Sequence, residues 1–157
     1  MTATAHALVA GAIASKFSDP STATLLAITS HFVLDSVPHW DFGTNWRNRS
    51  KHSTGLYATL ETIFGMGLAV WFFHSSVPYS LLLITIIASL LPDWLETPWY
   101  IFFANQKKLK PSTHAGVLEK VAFGFYKIPN IFHSKAQLPL GLVTQVAAVA
   151  FFIFLLG

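Results

Sequence analysis

The sequence predicts an all-α protein: a polytopic membrane helix bundle that forms one integral membrane domain over residues 1–157. The chain is 53% hydrophobic and only 11% charged, whereas soluble domains carry roughly 25% charged residues. Its apolar residues form five runs, and four of them reach the length of about 17–20 residues that spans a bilayer. We therefore expect four to five transmembrane helices and one interfacial amphipathic helix.

The first two apolar segments cover residues 3–17 and 20–37. The first is short, and whether it spans the membrane stays open. Its small residues recur every four positions, a pattern that lets helices pack closely inside a membrane bundle. The second opens with a proline, which is favoured in the first turn of a helix. The spaced small residues are Ala3, Ala7, Gly11 and Ser15.

Three further apolar segments follow at residues 55–73, 78–104 and 138–156. Pro92 lies inside the fourth segment and predicts a kink there. Between the fourth and fifth segments, residues 112–128 mix apolar side chains with lysine and glutamate. That mixture predicts an amphipathic helix lying in the membrane interface.

Basic residues predict the orientation of the bundle. If all five segments cross, both long polar connections (residues 38–54 and 105–137) lie on the same side as the N-terminus. Nine of the ten basic residues then share that side, and only Lys16 lies opposite. The positive-inside rule makes this side cytoplasmic, so we expect an inner-membrane protein with a cytoplasmic N-terminus and an outer C-terminus. The basic residues in these polar connections favour binding to membrane lipid, and we expect no binding to nucleic acid. The first connection supplies Arg47, Arg49 and Lys51.

The end of the second segment is unusually polar for an apolar run. His31 and Asp35 are four residues apart, so on a helix they share one face. Pro38 then ends the helix, and His39 and Asp41 follow in the turn beyond it. An imidazole and a carboxylate one helical turn apart can share a metal ion or a proton.

Every other segment also brings an acid or a histidine to the predicted cytoplasmic side. His6 begins the first segment, and Glu61 lies two turns inside the third. Asp93 and Glu96 lie near the end of the fourth, and His133 precedes the fifth. This clustering on one side predicts a shared site. The opposite side holds Lys16, Asp19 and His74.

Neutral imidazoles and carboxylates together suit zinc, manganese or iron. An acid at the centre of a membrane helix costs on the order of 2.5–3.5 kcal/mol, and a bound cation would offset that cost. We therefore predict a divalent metal cofactor, zinc or manganese. The expected ligands are His6, His31 and Asp35, followed by Asp93, His39 and Asp41.

The remaining polar residues suggest catalytic or structural roles. Asp93 or Glu61 can serve as a general base or orient a ligand histidine. Gln145 lies inside the fifth segment and needs a partner in the bundle, either a neighbouring helix or a substrate. Other polar residues expected near the site are His133, Gln137 and Glu96.

Purely structural interpretations compete with these assignments. A single His-x-x-x-Asp pair is more often a structural hydrogen bond, and Asp93 can satisfy backbone groups freed by Pro92. Glu61 can bond a neighbouring helix. Three functions therefore remain open: a metal-dependent hydrolase acting on an amphiphilic or lipid-linked substrate, a proton- or ion-coupled transporter, and a non-catalytic membrane scaffold. A transporter needs a polar path to the far side, where segments three to five offer few polar residues.

Several motifs resemble those of a family of bacterial inner-membrane, metal-dependent hydrolases. They are S-H-x-x-x-D at residues 30–35, the early His6, L-P-D at 91–93 and H-S at 52–53. The resemblance implies a small membrane protein whose histidines and aspartates bind a divalent metal. The motif order differs, because L-P-D here follows S-H-x-x-x-D and precedes Trp94 instead of a second acid. The run L-D-S-V-P-H-W-D is also similar to small bacterial membrane proteins without an assigned activity.

Overall fold

A computed structural model describes the fold over residues 1–41, 48–105 and 107–156. These residues contain six α-helices and no β-strand, which confirms the all-α prediction. Arg47, part of the first polar connection, lies outside the described residues. The helices are α1 (Ala3–Lys16), α2 (Pro20–Ser36), α3 (Lys51–Phe73), α4 (Tyr79–Pro98), α5 (Val117–Phe132) and α6 (Leu140–Leu156), and a π-helical turn (Trp99–Phe103) continues α4.

Two helices in the described part of the chain are long and apolar enough to cross a membrane. They are α3 and the continuous helix of α4 with its π-helical turn. The 23 residues of α3 extend about 34 Å, more than the ~30 Å hydrocarbon core of a bilayer. Helix α6 is apolar but has only 17 residues, and α1 has 14. Two of the predicted four to five spans therefore correspond to helices of sufficient length and apolarity, and the larger number stays a prediction.

Helix α1 is the central helix of the bundle and contacts α2, α3, α4 and α6. Ala7, Val9 and Ala10 along it are completely buried. Small side chains allow the surrounding helices to approach its backbone closely. One close backbone approach is at Gly65 of α3, where a Cβ atom would lie only 2.7 Å from the Cα atom of Thr4. The apolar side chains of α1 thus pack inside the protein, so its hydropathy alone does not show whether it crosses a membrane.

Capping residues move two helix starts away from their predicted positions. Helix α3 begins at Lys51 instead of residue 55 because the Ser50 hydroxyl accepts the backbone N–H of Ser53 at 3.1 Å. Helix α5 begins at Val117, with Gly116 as its N-cap, instead of residue 112. Its outer face exposes large apolar side chains and its inner face packs on the π-helical turn. The predicted helix is therefore present with shifted bounds, and its place in the membrane interface stays a prediction.

Gln145 links the start of α1 to α6 inside the bundle. Its side-chain oxygen accepts the backbone N–H of Thr2 at 2.9 Å, and its side chain is almost completely buried. We expect Gln145→Met to lower the free energy of unfolding by about 1–3 kcal/mol, because the Thr2 N–H loses its acceptor. Unfolding titration in detergent measures the change. Val143→Met, at an exposed position of α6, is the control, and equal stability of the two variants would contradict this role.

Candidate metal centre

Two chain segments bring the histidines of the site together. His31 and Asp35 lie on the last turns of α2, and His39 follows the helix end. The backbone N–H of His39 donates to Ser134 O at 3.1 Å, and His39 O accepts the N–H of Ala136 at 2.8 Å. This short pairing holds His39 beside His133, which is distant in sequence and directly follows α5.

Asp35 is the centre of the cluster, and its side chain is only 1% exposed. Its Oδ1 lies 3.2 Å from His6 Nε2 and 3.8 Å from His39 Nε2. Its Oδ2 lies 3.4 Å from His31 Nε2 and 3.6 Å from His133 Nδ1. The positively charged amino group of Met1 also contacts Oδ1. Four imidazoles from four parts of the chain thus surround one carboxylate.

The first group of potential ligands consists of His6, His31 and Asp93. One ligand atom from each lies within 4.8 Å of the other two. The His6 and His31 rings stack with centroids 4.1 Å apart, and His31 Nε2 lies 3.6 Å from Asp93 Oδ1. The two histidines are buried while Asp93 is partly exposed, so this group has an open side at the aspartate.

The second group consists of Asp35, His39 and His133, again with ligand atoms within 4.8 Å of one another. Asp41 adjoins it: its Oδ2 lies 2.8 Å from His133 Nε2 and 3.5 Å from His39 Nε2. Burial by itself raises the pKa of Asp41, but hydrogen bonds from His133 and His39 outweigh it and hold that pKa well below its usual range. Asp41 is therefore an ionised carboxylate.

Backbone carbonyls fix the orientation of one histidine in each group. His31 Nδ1 lies 2.8 Å from Ser89 O, and His39 Nδ1 lies 2.7 Å from Val37 O. Because a carbonyl oxygen only accepts, each Nδ1 carries hydrogen and donates. In the neutral ring of His31, Nε2 then points its lone pair at the carboxylates of Asp35 and Asp93, which is repulsive unless a metal ion or a proton lies between them. His39 Nε2 instead lies 2.8 Å from His133 Nε2. Metal-binding histidines show this same second hydrogen bond.

Unsatisfied polar atoms converge at the same place. Both ring nitrogens of His6, together with His31 Nε2 and Asp35 Oδ2, are buried without a hydrogen-bond partner. Buried polar atoms in proteins are normally bonded. Most histidine–aspartate separations here are 3.2–3.8 Å, close to the ~3.4 Å between two ligands of a tetrahedral zinc ion. The residues present therefore fit a divalent metal ion.

A cavity of about 530 Å³ adjoins the cluster. Asp41, Asp93 and His133 face it from the metal centre, so both ligand groups reach this space. Residues of α3 and α4 form much of its wall, including Ala58 and Trp94. Its basic lining residues are Arg49, Lys51 and Lys135.

Three residues expected near the site occupy other positions. Glu61 and Glu96 line the cavity but belong to neither ligand group. The Glu96 carboxylate accepts hydrogen bonds from the Tyr100 hydroxyl at 2.7 Å and from Asn130 Nδ2 at 3.2 Å. Gln137 is exposed, and its backbone oxygen accepts the N–H of Gly141 at the start of α6. The catalytic roles of Glu61 and Asp93 stay predictions.

Sequence reasoning missed His133 as a ligand and treated it only as a nearby polar residue. The signal that identifies it is the backbone pairing around His39 and Lys135, which no local pattern reveals. His52, His74 and His114 are exposed and lie outside both groups.

The fold and the site together define a helical bundle with two helices long and apolar enough to cross a membrane and a buried histidine–aspartate cluster that could hold a metal ion. Comparison of the chain with protein-family profiles, with curated proteins and with solved structures gave no match. The resemblance to membrane metal-dependent hydrolases therefore remains an expectation drawn from its motifs.

Proposed function

We propose that the protein is an integral membrane hydrolase that uses a divalent metal, zinc or manganese, on an amphiphilic or lipid-linked substrate. The observation that carries this proposal is the arrangement around Asp35, where buried imidazole nitrogens and a carboxylate oxygen converge without hydrogen-bond partners. A site of this composition is costly to bury unless it binds a cation. The cavity beside it gives a substrate access.

The exposed apolar surface supports our proposal that the bundle lies in the membrane and that four to five of its helices cross the bilayer. Ile63 and Phe64 of α3 are more than 60% exposed, and Phe154 of α6 is 90% exposed. Contiguous exposed surfaces of this kind mark membrane or partner contacts. The basic loops lie at the end of the bundle that contains the candidate metal centre. We therefore propose that this centre and the N-terminus face the cytoplasm, that the bundle lies in the inner membrane, and that α5 lies in the membrane interface.

In this proposal, different residues of the chain have different roles in hydrolysis. A bound divalent ion polarises the scissile group and lowers the pKa of water. Asp93 faces both the first ligand group and the cavity, so it can bind the ion or accept a proton. Glu61 lines the cavity outside both groups, and its Oε1 is buried without a hydrogen-bond partner. That position suits a general base.

The lining of the cavity supports an anionic, chain-bearing substrate. Arg49, Lys51 and Lys135 supply positive charge near the metal centre, which favours an anionic group such as a phosphoester. The cavity wall formed by α3 and α4 belongs to the two helices that can span the membrane. A substrate can therefore place its head group at the site while its apolar chain stays in the bilayer.

Hydrolysis by protein in lipid nanodiscs tests the proposal. We expect chelation to abolish hydrolysis of a phospholipid or long-chain phosphodiester and zinc or manganese to restore it. His31→Ala should lower kcat/KM by at least about 100-fold, since even residues that only orient metal ligands cost 10–100-fold. The control is His74→Ala, which changes an exposed histidine at the far end of α3.

Metal-loaded protein that hydrolyses none of these esters would contradict the proposal that the protein is a hydrolase. Ion flux into liposomes that Glu61→Gln abolishes would instead support the transporter. Equal activity of His31→Ala and His74→Ala would show that the cluster is not the reactive site.

A further inference from the structure

We propose that the site is dinuclear, with two divalent metal ions bridged by the carboxylate of Asp35. This inference rests on the proposed metal-dependent function and adds the number of ions and the residue that joins them. It assigns His6, His31 and Asp93 to one ion and His39 and His133 to the other.

The number of ligands is too large for one ion. The two groups share no residue, and each supplies three donors, as many protein ligands as a catalytic zinc site uses. With Asp41 beside the second group, four imidazoles and three carboxylates surround the site. Seven residues exceed the four to six positions around a zinc or manganese ion. Two ions use all of them and leave open positions toward the cavity.

The Asp35 carboxylate lies between the two groups and is close to histidines of both. Each of its oxygens is close to one histidine of each group: Oδ1 to His6 and His39, and Oδ2 to His31 and His133. No other carboxylate among the described residues has this double contact with both groups. Paired metal ions in hydrolytic sites lie about 3.5–4 Å apart, a separation that one carboxylate can span.

The two groups are also oriented independently. The Ser89 carbonyl fixes the ring of His31 in the first group, and the Val37 carbonyl fixes the ring of His39 in the second. Each group thus contains its own histidine with Nε2 directed inward. Each group therefore has a histidine with the second hydrogen bond that metal-binding histidines normally make.

Two divalent ions would make the cluster a site for an anion. Asp35, Asp41 and Asp93 place three carboxylates within the cluster, and the Met1 amino group adds one positive charge beside Asp35. With neutral imidazoles, two divalent ions then give a net charge of +2, which an anionic substrate group lowers. The basic residues that line the cavity also favour an anionic ligand.

Metal counting and electron paramagnetic resonance on the wild-type protein test the bridge. Metal-free protein in nanodiscs is loaded with Mn²⁺ and desalted, and metal per chain is measured by mass spectrometry. We expect two ions per chain and the spectrum of an exchange-coupled Mn²⁺ pair. His6→Ala and His133→Ala should each retain about one ion and lose the coupling, whereas His74→Ala should keep both.

The outcomes separate this inference from the proposed function. Saturation at one ion per chain, with metal-dependent hydrolysis intact, would overturn the dinuclear site alone. Two ions without exchange coupling would overturn the Asp35 bridge. No retained metal at all would overturn both proposals. Because the wild-type spectrum needs no substitution, misfolding of a variant does not affect the test.

Discussion

Asp35→Asn is expected to lower metal affinity by more than about 100-fold, the largest effect of any single substitution in the cluster. Asparagine keeps the size and shape of the side chain but removes its negative charge. The four imidazoles around it would then face an amide, and the one carboxylate that lies within 4 Å of all four would be gone. Competition with a calibrated chelator measures the affinity, and circular dichroism checks that the variant is folded.

Asp19→Asn is the matched control for this substitution. Asp19 caps α2 at the end remote from Asp35, and its carboxylate accepts the backbone N–H of Thr22 at 2.8 Å. Asparagine caps helices about as well as aspartate, so stability and metal affinity should stay near wild type. Equal metal affinity of Asp35→Asn and Asp19→Asn would show that Asp35 is not a ligand.

Gly65→Val is expected to cause the largest loss of stability, about 3 kcal/mol or more. A Cβ atom at Gly65 would lie 2.7 Å from Thr4 Cα and 2.8 Å from Thr4 N. These are backbone atoms, so they cannot turn aside as a flexible side chain can. Overpacking typically costs 1–3 kcal/mol, and here it also displaces α1, which carries His6. Unfolding free energy and metal retention should therefore fall together.

Gly67→Val provides the comparison on the same helix, since a Cβ atom at Gly67 meets nothing within 4 Å. Both substitutions change helix propensity in the same way, so their difference isolates the contact between α1 and α3. Unfolding titrations of both variants in one detergent measure it. Similar stability of the two proteins would mean that the helices do not cross at Gly65.

Local patterns predicted the helices better than the number that span a membrane. The bounds of α1 and α2 follow from their apolar runs, from Pro20 and from Pro38, which marks the end of α2. Hydropathy, however, does not distinguish a side chain that faces lipid from one that faces other helices. The alanines of α1 are buried among neighbouring helices, so their apolar character says nothing about lipid contact.

The site was predictable where its geometry is local or follows from topology. His31 and Asp35 adjoin because they are four residues apart on a helix, and Asp93 and His6 could be placed on the same side from the charge distribution. His133 could not be assigned as a ligand in this way. Its position depends on backbone bonds between His39 and residues 134–136, a contact between distant parts of the chain.

X-ray absorption of zinc-loaded wild-type protein tests the central claim most directly: that the cluster around Asp35 binds a divalent metal. The account predicts metal that survives desalting, with nitrogen and oxygen ligands at about 2.0–2.1 Å and multiple-scattering features of at least two imidazoles. Asp35→Asn should lose that signal. Protein that retains no zinc, or zinc without imidazole ligands, would contradict the account.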